Sequence, residues 1–232
     1  HRRRSVICGT GIAGFATAAL FAMAAYAVTV LETSDTVGGR VGTWQSDGFR
    51  FDTGPSWYLM PEVFGHFYRM LGTDVAHELQ LVTLDPGYRL YFEPDTAGDS
   101  ATMDIPAGRE RVRALFERTE PGAGARLDAY LDSAADAYRL SLQRFLYTSF
   151  ESKRELFSRE LLIRLPHLSK LLSTSLERYI AASFHDPRLR QVLGYPAVFL
   201  GSSPSKTPAL YHLMSHLDLD AGVLYPRGGF RL

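Results

Sequence analysis

From Ser5 to Leu31 the chain carries no charged residue, although Arg2, Arg3 and Arg4 stand immediately before it. Such a stretch has two incompatible readings. About 20 apolar residues cross a bilayer, and a basic start followed by an apolar run, with small residues around Ala22 and Ala24, resembles a membrane span or an export signal. The other reading is a strand, a glycine turn and a helix. Ser5–Cys8 is short and β-favouring, Gly9-Thr10-Gly11-Ile12-Ala13-Gly14 has the spacing G-x-G-x-x-G, and Phe15–Ala25 is Ala-rich and helix-favouring. Ala27–Leu31 then forms a β-branched second strand ending at Glu32, a finish for which a membrane helix has no use. The strand–turn–helix–strand reading is the one carried forward.

Each glycine has a separate task in that unit. Gly9 permits the tight turn, Gly11 lets the backbone approach a pyrophosphate, and Gly14 lets the helix pack against the strand. The helix N-terminus offers free N–H groups and a partial positive charge to phosphate, so Thr10, Ile12 and Ala13 join the binding set. Glu32 stands where a carboxylate accepts hydrogen bonds from a ribose 2′-hydroxyl.

Two further clusters follow. Gly38-Gly39-Arg40 offers bare backbone and a guanidinium fork, suited to a second clamp on a diphosphate. Gly48–Ser56 reads as a strand running into a glycine turn, where a flat ring can lie against Thr53, Gly54, Pro55 and Ser56. Ordinary turns would use the same residues, so spacing alone leaves both readings open.

Composition narrows the class. With 46% hydrophobic and 22% charged residues the chain is a folding sequence, not a disordered, collagen-like or coiled-coil one. Lys plus Arg and Asp plus Glu both number 25, so no net field draws nucleic acid to it. The one cysteine, Cys8, excludes an internal disulfide and a thiolate zinc cluster, and is expected as a small buried hydrophobe in the first strand. The start at His1 and the stop just after Gly228-Gly229 suggest a fragment.

Gly9-x-Gly11-x-x-Gly14, Glu32 and Gly38-Gly39-Arg40 together resemble the two-part FAD signature of the amine-oxidase-like flavoproteins. The run Gly48–Phe64, with Asp186–Gln191, Gly201–Pro204 and Leu224–Gly229, resembles the bacterial phytoene desaturases within that superfamily, and the similarity extends over nearly the whole chain. The resemblance implies an α/β fold: a Rossmann-like FAD-binding domain, a small antiparallel substrate-domain sheet and a helical lid, incomplete at the C-terminus. It implies FAD as cofactor and desaturation of a carotenoid hydrocarbon, phytoene, by hydride transfer to the flavin. Quinone or oxygen would then serve as electron acceptor, at the cytoplasmic face of the membrane. Related carotenoid isomerases, oxygenases and amine-oxidase-like flavoenzymes share the nucleotide signature, and an inactive remnant that binds only nucleotide or membrane is a third alternative. This chain departs from the family where relatives carry a helix-ending glycine before the second strand. Here Ala25 stands, at an expected cost of about 1 kcal/mol.

The expected organisation is a FAD-binding region over 1–75, part of a substrate-domain sheet over 76–107, a helical lid over 108–215 and a return strand within 216–232. Pro61–Leu71 has helical spacing, and Leu79–Leu84, Tyr88–Phe92 and Ala101–Ile105 read as three strands of one sheet, with Pro94–Ser100 its loop. Leu127, Tyr130, Leu131, Ala134, Ala135, Tyr138, Leu142, Phe145 and Leu146 predict one stripe of a long amphipathic helix, and Glu155–Phe184 predicts two helices broken near Pro166.

Between Arg139 and Arg178 eight Lys or Arg face four Glu, interleaved with Phe and Leu. That pattern suits either a solvated helix face or an anionic membrane surface, and a lipid-dissolved substrate favours peripheral docking. Alignment with relatives carrying an acid and an arginine in this region puts Glu160 at the acid position, with Arg159 and Arg164 near the arginine position. An exposed Glu160–Arg164 ion pair is the plainer alternative. His212 and His216 are one turn apart without a metalloprotease glutamate, so packing or surface placement is expected rather than a metal site.

Overall fold

The computed structural model describes residues 2–93, 101–148 and 159–230, the side chains of 159–162 excepted. The chain divides into two compact units, 1–83 with 224–232, and 84–223.

The first unit begins with β1 (Arg4–Cys8), crosses through α1 (Ile12–Met23) and returns as β2 (Ala27–Leu31), parallel to β1 from Arg4↔Ala27 to Cys8↔Leu31. This is the βαβ unit expected from the glycine spacing. Only one face of the strand pair is covered by α1. Ile7, Val28 and Val30 are half-buried, whereas Val6, Cys8 and Leu31 point the other way and Val6 is 63% exposed. Cys8 is therefore exposed, not buried as expected, because strand alternation puts it on the face α1 does not reach.

α1 ends as a Schellman turn: the N–H of Tyr26 donates to Phe21 O and that of Ala25 to Ala22 O, both at 3.0 Å. Ala25 takes the left-handed conformation, φ 64°, that the missing glycine would have supplied. Next, β3 (Thr43–Ser46) and β4 (Phe49–Asp52) form an antiparallel hairpin around Asp47 and Gly48, whose φ values of 51° and 83° make the tight turn that Asp-Gly favours. α2 (Pro61–Met70) starts on its proline, and Asp74 caps α3 (Val75–Glu78) by accepting from the N–H of His77 at 2.8 Å.

The three strands expected in one sheet separate into two ladders. β5 (Leu81–Thr83) pairs with β8 (Leu224–Pro226), and Tyr58 bridges to Leu224 beside them. β6 (Tyr88–Tyr91) pairs with β7 (Thr102–Ile105) in the second unit. At the turn, Leu84 N–H goes to Val223 O and Gly87 N–H to Ile105 O, while Pro86 has no N–H to offer; β5 cannot fold back onto β6. Residues 94–100, expected as the loop of this sheet, lie outside the described residues.

The second unit is mainly helical: α4 (Arg109–Thr119), α5 (Ala123–Ser141), α6 (Arg159–Ser173), α7 (Leu176–Ala181) and α8 (Pro187–Gly194). Its core joins Ile105, Phe116, Leu131, Leu176, Phe184 and Leu193, with Phe116 and Phe184 meeting edge-on at 5.9 Å. The predicted stripe holds from Leu127 to Tyr138 but not beyond. A π-helical segment at Leu142–Leu146 rotates the chain, and Phe145 and Leu146 emerge exposed. Pro166 does not break its helix either; it sits inside α6. The interruption falls at Thr174, after which Ser175 caps α7 by accepting from Arg178 N–H at 3.3 Å.

Candidate functional site: a three-segment glycine cradle

The glycine-rich segments singled out in the sequence converge in the first unit. A Cβ on Gly14 would lie 2.0 Å from Gly9 O, so glycine there is what lets α1 sit on the turn. Gly9 and Gly11, by contrast, have nothing within 4 Å of where a Cβ would stand. Gly11 supplies no side-chain cap, so the opening turn of α1 (Ile12, Ala13 and Gly14) presents donors to an outside acceptor.

The second segment closes on the first. Gly38 N–H donates to Thr10 O at 3.1 Å and to Thr10 Oγ1 at 3.2 Å, and a Cβ on Gly39 would come within 3.2 Å of Gly11 Cα. The third closes on the second. Thr53 N–H donates to Gly42 O at 3.0 Å, and a Cβ on Gly54 would collide with Arg40 O at 1.9 Å. Gly54 therefore has no substitute in this packing. Pro55 continues from it into the wall of a cavity described below.

Glu32 is held from several sides. Its Oε2 accepts from Thr10 N–H at 2.9 Å and from the Thr10 hydroxyl, while Oε1 accepts from the N–H groups of Thr33 and Ser34 at 2.9 and 3.0 Å. The Thr10 hydroxyl first, then the backbone donors, hold its carboxyl down at about 2. It is an anion at any working pH, poised one residue from the turn.

Beside the cradle lies an apolar cavity of about 340 Å³, lined by Ile12, Val41, Pro55, Tyr58, Phe64 and Phe230 among others. Tyr58 meets Phe64 in a tilted arrangement at 4.6 Å and stacks with Phe230 at 6.5 Å. Burial pushes the Tyr58 phenol up to about 12, and its hydroxyl has no partner among the described residues. Neither Tyr58 nor Phe230 was marked by sequence reasoning as a site residue; the sequence run around Tyr58 offered a signal, Phe230 none.

The catalytic candidates belong to α6, in the second unit. Arg164, on α6, pairs with Asp136 on α5, and the expected ion pair with Glu160 lies outside the described residues. The side chains of Arg159 and Glu160 lie outside the described residues. His212 is buried between Ala209 O and Ser133 Oγ, both at 2.9 Å, and burial lowers it to about 4; His216 instead meets Asp220 at 2.8 Å. The two imidazoles thus serve separate packing contacts.

A family model described as flavin containing amine oxidoreductase matches residues 12–232. The chain belongs to that flavin-containing amine oxidoreductase family. Among curated relatives of this family, a carotenoid 3,4-desaturase of Haloarcula japonica is 37% identical over 223 residues, covering 96% of this chain and 44% of the relative. A zeta-carotene-forming phytoene desaturase of Myxococcus xanthus is 35% identical over 230 residues, covering 98% and 43%. The chain thus spans less than half the length of the curated relatives it matches. A solved putrescine oxidase superposes with TM-score 0.53 at 18% identity, covering 93% of this chain and 41% of that one, a likeness of fold alone.

The cofactor that goes with the family is FAD, and the cradle fits it. Open space at Gly9 and Gly11, an uncapped helix start and an ionised carboxylate after the second strand are the donor and acceptor set a dinucleotide needs.

Proposed function

We propose that the protein containing this chain is an FAD-dependent carotenoid desaturase acting on a long apolar precursor of the phytoene type. The observation that carries this reading is the cradle of Gly9–Gly14, Gly38–Arg40 and Thr53–Gly54 opening beside an aromatic, apolar cavity. The names of the two carotenoid-desaturating relatives supply the substrate class.

In this reading Gly9, Thr10, Gly11, Ile12, Ala13 and Gly14 would hold the diphosphate, and Glu32 would accept from the ribose hydroxyls. Gly38, Gly39 and Arg40 form the second clamp, while Thr53, Gly54, Pro55 and Ser56 border the ring. When bound, FAD supplies a two-electron acceptor for the hydride removed from one carbon. The adjacent carbon would lose a proton as a C=C bond forms between the two, with quinone or oxygen as the electron acceptor of the overall reaction. A hydrocarbon offers no hydrogen-bonding handle, so the protein's work is to hold it in line and keep water out, a role that the apolar and aromatic lining of the cavity supports. Glu160 is the candidate proton acceptor, with Arg159 or Arg164 to stabilise charge; Arg164 also pairs with Asp136.

Peripheral docking on the cytoplasmic face of an anionic membrane belongs to the same proposal. α6 exposes Ile163, Leu165 and Leu172 alongside the basic Arg164 and Lys170. No described helix is long and apolar enough to cross a membrane. Flotation with anionic liposomes that falls as salt rises is the expected result; absence of flotation at every salt concentration removes the docking claim. The deciding test of the reaction is anaerobic incubation of the full reading frame, loaded with FAD, with phytoene. Bleaching of the flavin with formation of a longer polyene is expected. A stably flavinylated protein that leaves phytoene unchanged, but oxidises an amine, overturns the reading.

A further inference from the structure

Asp52 ends β4 next to Thr53, yet its carboxylate faces the last described turn of the chain. It accepts from the Tyr225 hydroxyl on β8, and the N–H of Phe230 points at both of its oxygens, at 3.3 and 3.4 Å. Between those donors sits Gly229 with φ +95°, where a Cβ would stand 2.9 Å from Asp52 Oδ1. One carboxylate thus ties the β3–β4 hairpin to the Gly228–Phe230 turn at close packing.

The tie has a consequence for the cavity. Phe230 forms one wall of it, opposite Tyr58, and Tyr225 supports Phe230 edge-on at 5.6 Å. Pro226 and Gly229 of the same segment line it too, while the rest of the wall comes from the body of the unit, including Ile12 from α1, Val41 and Pro55 from the cradle, and Phe64 and Tyr68 from α2. Phe230 alone among the aromatic walls follows a turn of two glycines with positive φ, a backbone with more conformational freedom than the helices and strands behind the other walls. Within the turn the Gly229 N–H donates to Pro226 O at 3.0 Å, and the side-chain hold on its Phe230 end is the pair of donors onto Asp52. Donation to that carboxylate also keeps the Tyr225 phenol above its ordinary range.

We propose that Asp52 is a positioning residue which, through Tyr225 and the Phe230 N–H, fixes the Phe230 wall of the cavity against the apolar end of the polyene substrate. The substrate class rests on the function proposed above; the positioning role rests on the geometry. Asp52 touches no reacting atom in this account. It sets affinity for the hydrocarbon, not the rate of hydride removal.

The test uses the full reading frame that contains this chain, loaded with FAD, and phytoene in detergent micelles as the probe. Binding is read as a dissociation constant in the absence of an electron acceptor, and turnover as KM and kcat. Asp52→Ala is expected to raise the dissociation constant and KM about tenfold, with flavin content and kcat in the wild-type range. Asp52→Asn keeps one accepting oxygen and the shape, so it restores most of the affinity and leaves a deficit of about threefold. Unchanged affinity in Asp52→Ala overturns the proposal, as does a loss of affinity that only tracks a loss of flavin. Should Asp52→Ala not fold, Asp52→Asn decides alone: its deficit supports the role and wild-type affinity refutes it. A wild type that binds phytoene without converting it defeats the proposed reaction and leaves the Asp52 result standing on the dissociation constants. A wild type that does not bind phytoene defeats both.

Discussion

The Thr10 N–H and hydroxyl both converge on one oxygen of Glu32, so the turn after β1 and the end of β2 are joined through a single ionised carboxylate. That link sets an acid dependence. The folded carboxyl titrates near 2, below its ordinary 4.5, and a lowered carboxyl contributes stability above its unfolded value and loses it as pH falls through the folded one. Urea midpoints of the wild type are expected to fall between about pH 4.5 and pH 2 more steeply than those of Glu32→Gln, which has no charge to lose. Parallel curves for the two proteins would show that Glu32 gains nothing from Thr10.

Gly11 and Gly14 are three residues apart and should fail in opposite ways. At Gly14 a methyl would meet Gly9 O at 2.0 Å, so Gly14→Ala must push α1 off its strands, at about 3 kcal/mol. At Gly11 the methyl meets no protein atom and the backbone, φ −68°, accepts alanine. Gly11→Ala is therefore expected to keep the wild-type melting temperature and to weaken FAD binding about tenfold or more, by filling the space where a pyrophosphate approaches. Flavin absorbance after gel filtration, with melting curves of both variants, checks the contrast. A Gly11→Ala protein with full flavin occupancy would mean that the diphosphate lies elsewhere.

Ala25 offers a gain instead of a loss. Its φ of 64° costs an L-residue about 1 kcal/mol relative to glycine, while its N–H already completes the Schellman turn. Ala25→Gly is expected to raise stability by about 1 kcal/mol, read as a higher urea midpoint with an unchanged slope. A lower midpoint would mean that the unfolded chain's added freedom outweighs the relieved strain.

What could be read from sequence follows the range of the interactions. The βαβ unit was legible because Gly9, Gly11 and Gly14 act within one turn, and the need for glycine at position 14 is met by an atom five residues away. The strained Ala25 was legible for the same reason. The pairing of β5 was not: its partner lies at Leu224–Pro226, and nothing near Leu81 encodes that choice. Local patterns also misled where a register changed. Phe145 fits the α5 stripe by spacing, but the π-helical segment turns it outward. Cys8 looked buried because a two-faced strand was assumed to be covered twice. Within the candidate site, the three glycine segments were each visible, and their mutual contacts were not. The Asp52–Tyr225 tie, across most of the chain, left no sequence signal at all.

Asp218 lies in the second unit, 6% exposed, with one oxygen accepting from Tyr88 Oη at 2.9 Å and the other without a partner among the described residues. Burial raises its carboxyl to about 7, and the Tyr88 hydrogen bond only partly offsets this. The sign is opposite to that of Glu32. A carboxyl raised in the fold favours the native state while protonated, so its contribution is complete below the unfolded value of 3.8 and is lost as pH rises through about 7. Above neutrality the unit must therefore bury a charge that has one good partner and an orphaned oxygen. Asp218→Asn keeps the acceptor for Tyr88 and removes the charge. Its stability advantage over wild type is expected to be small at pH 4 and to grow to a few kcal/mol by pH 8. Melting temperatures of both proteins across that range measure it directly. An advantage that stays constant with pH would show that the Asp218 carboxyl titrates alike in the folded and unfolded chain, and that what Asn changes is only the fit of an amide where a carboxyl stood.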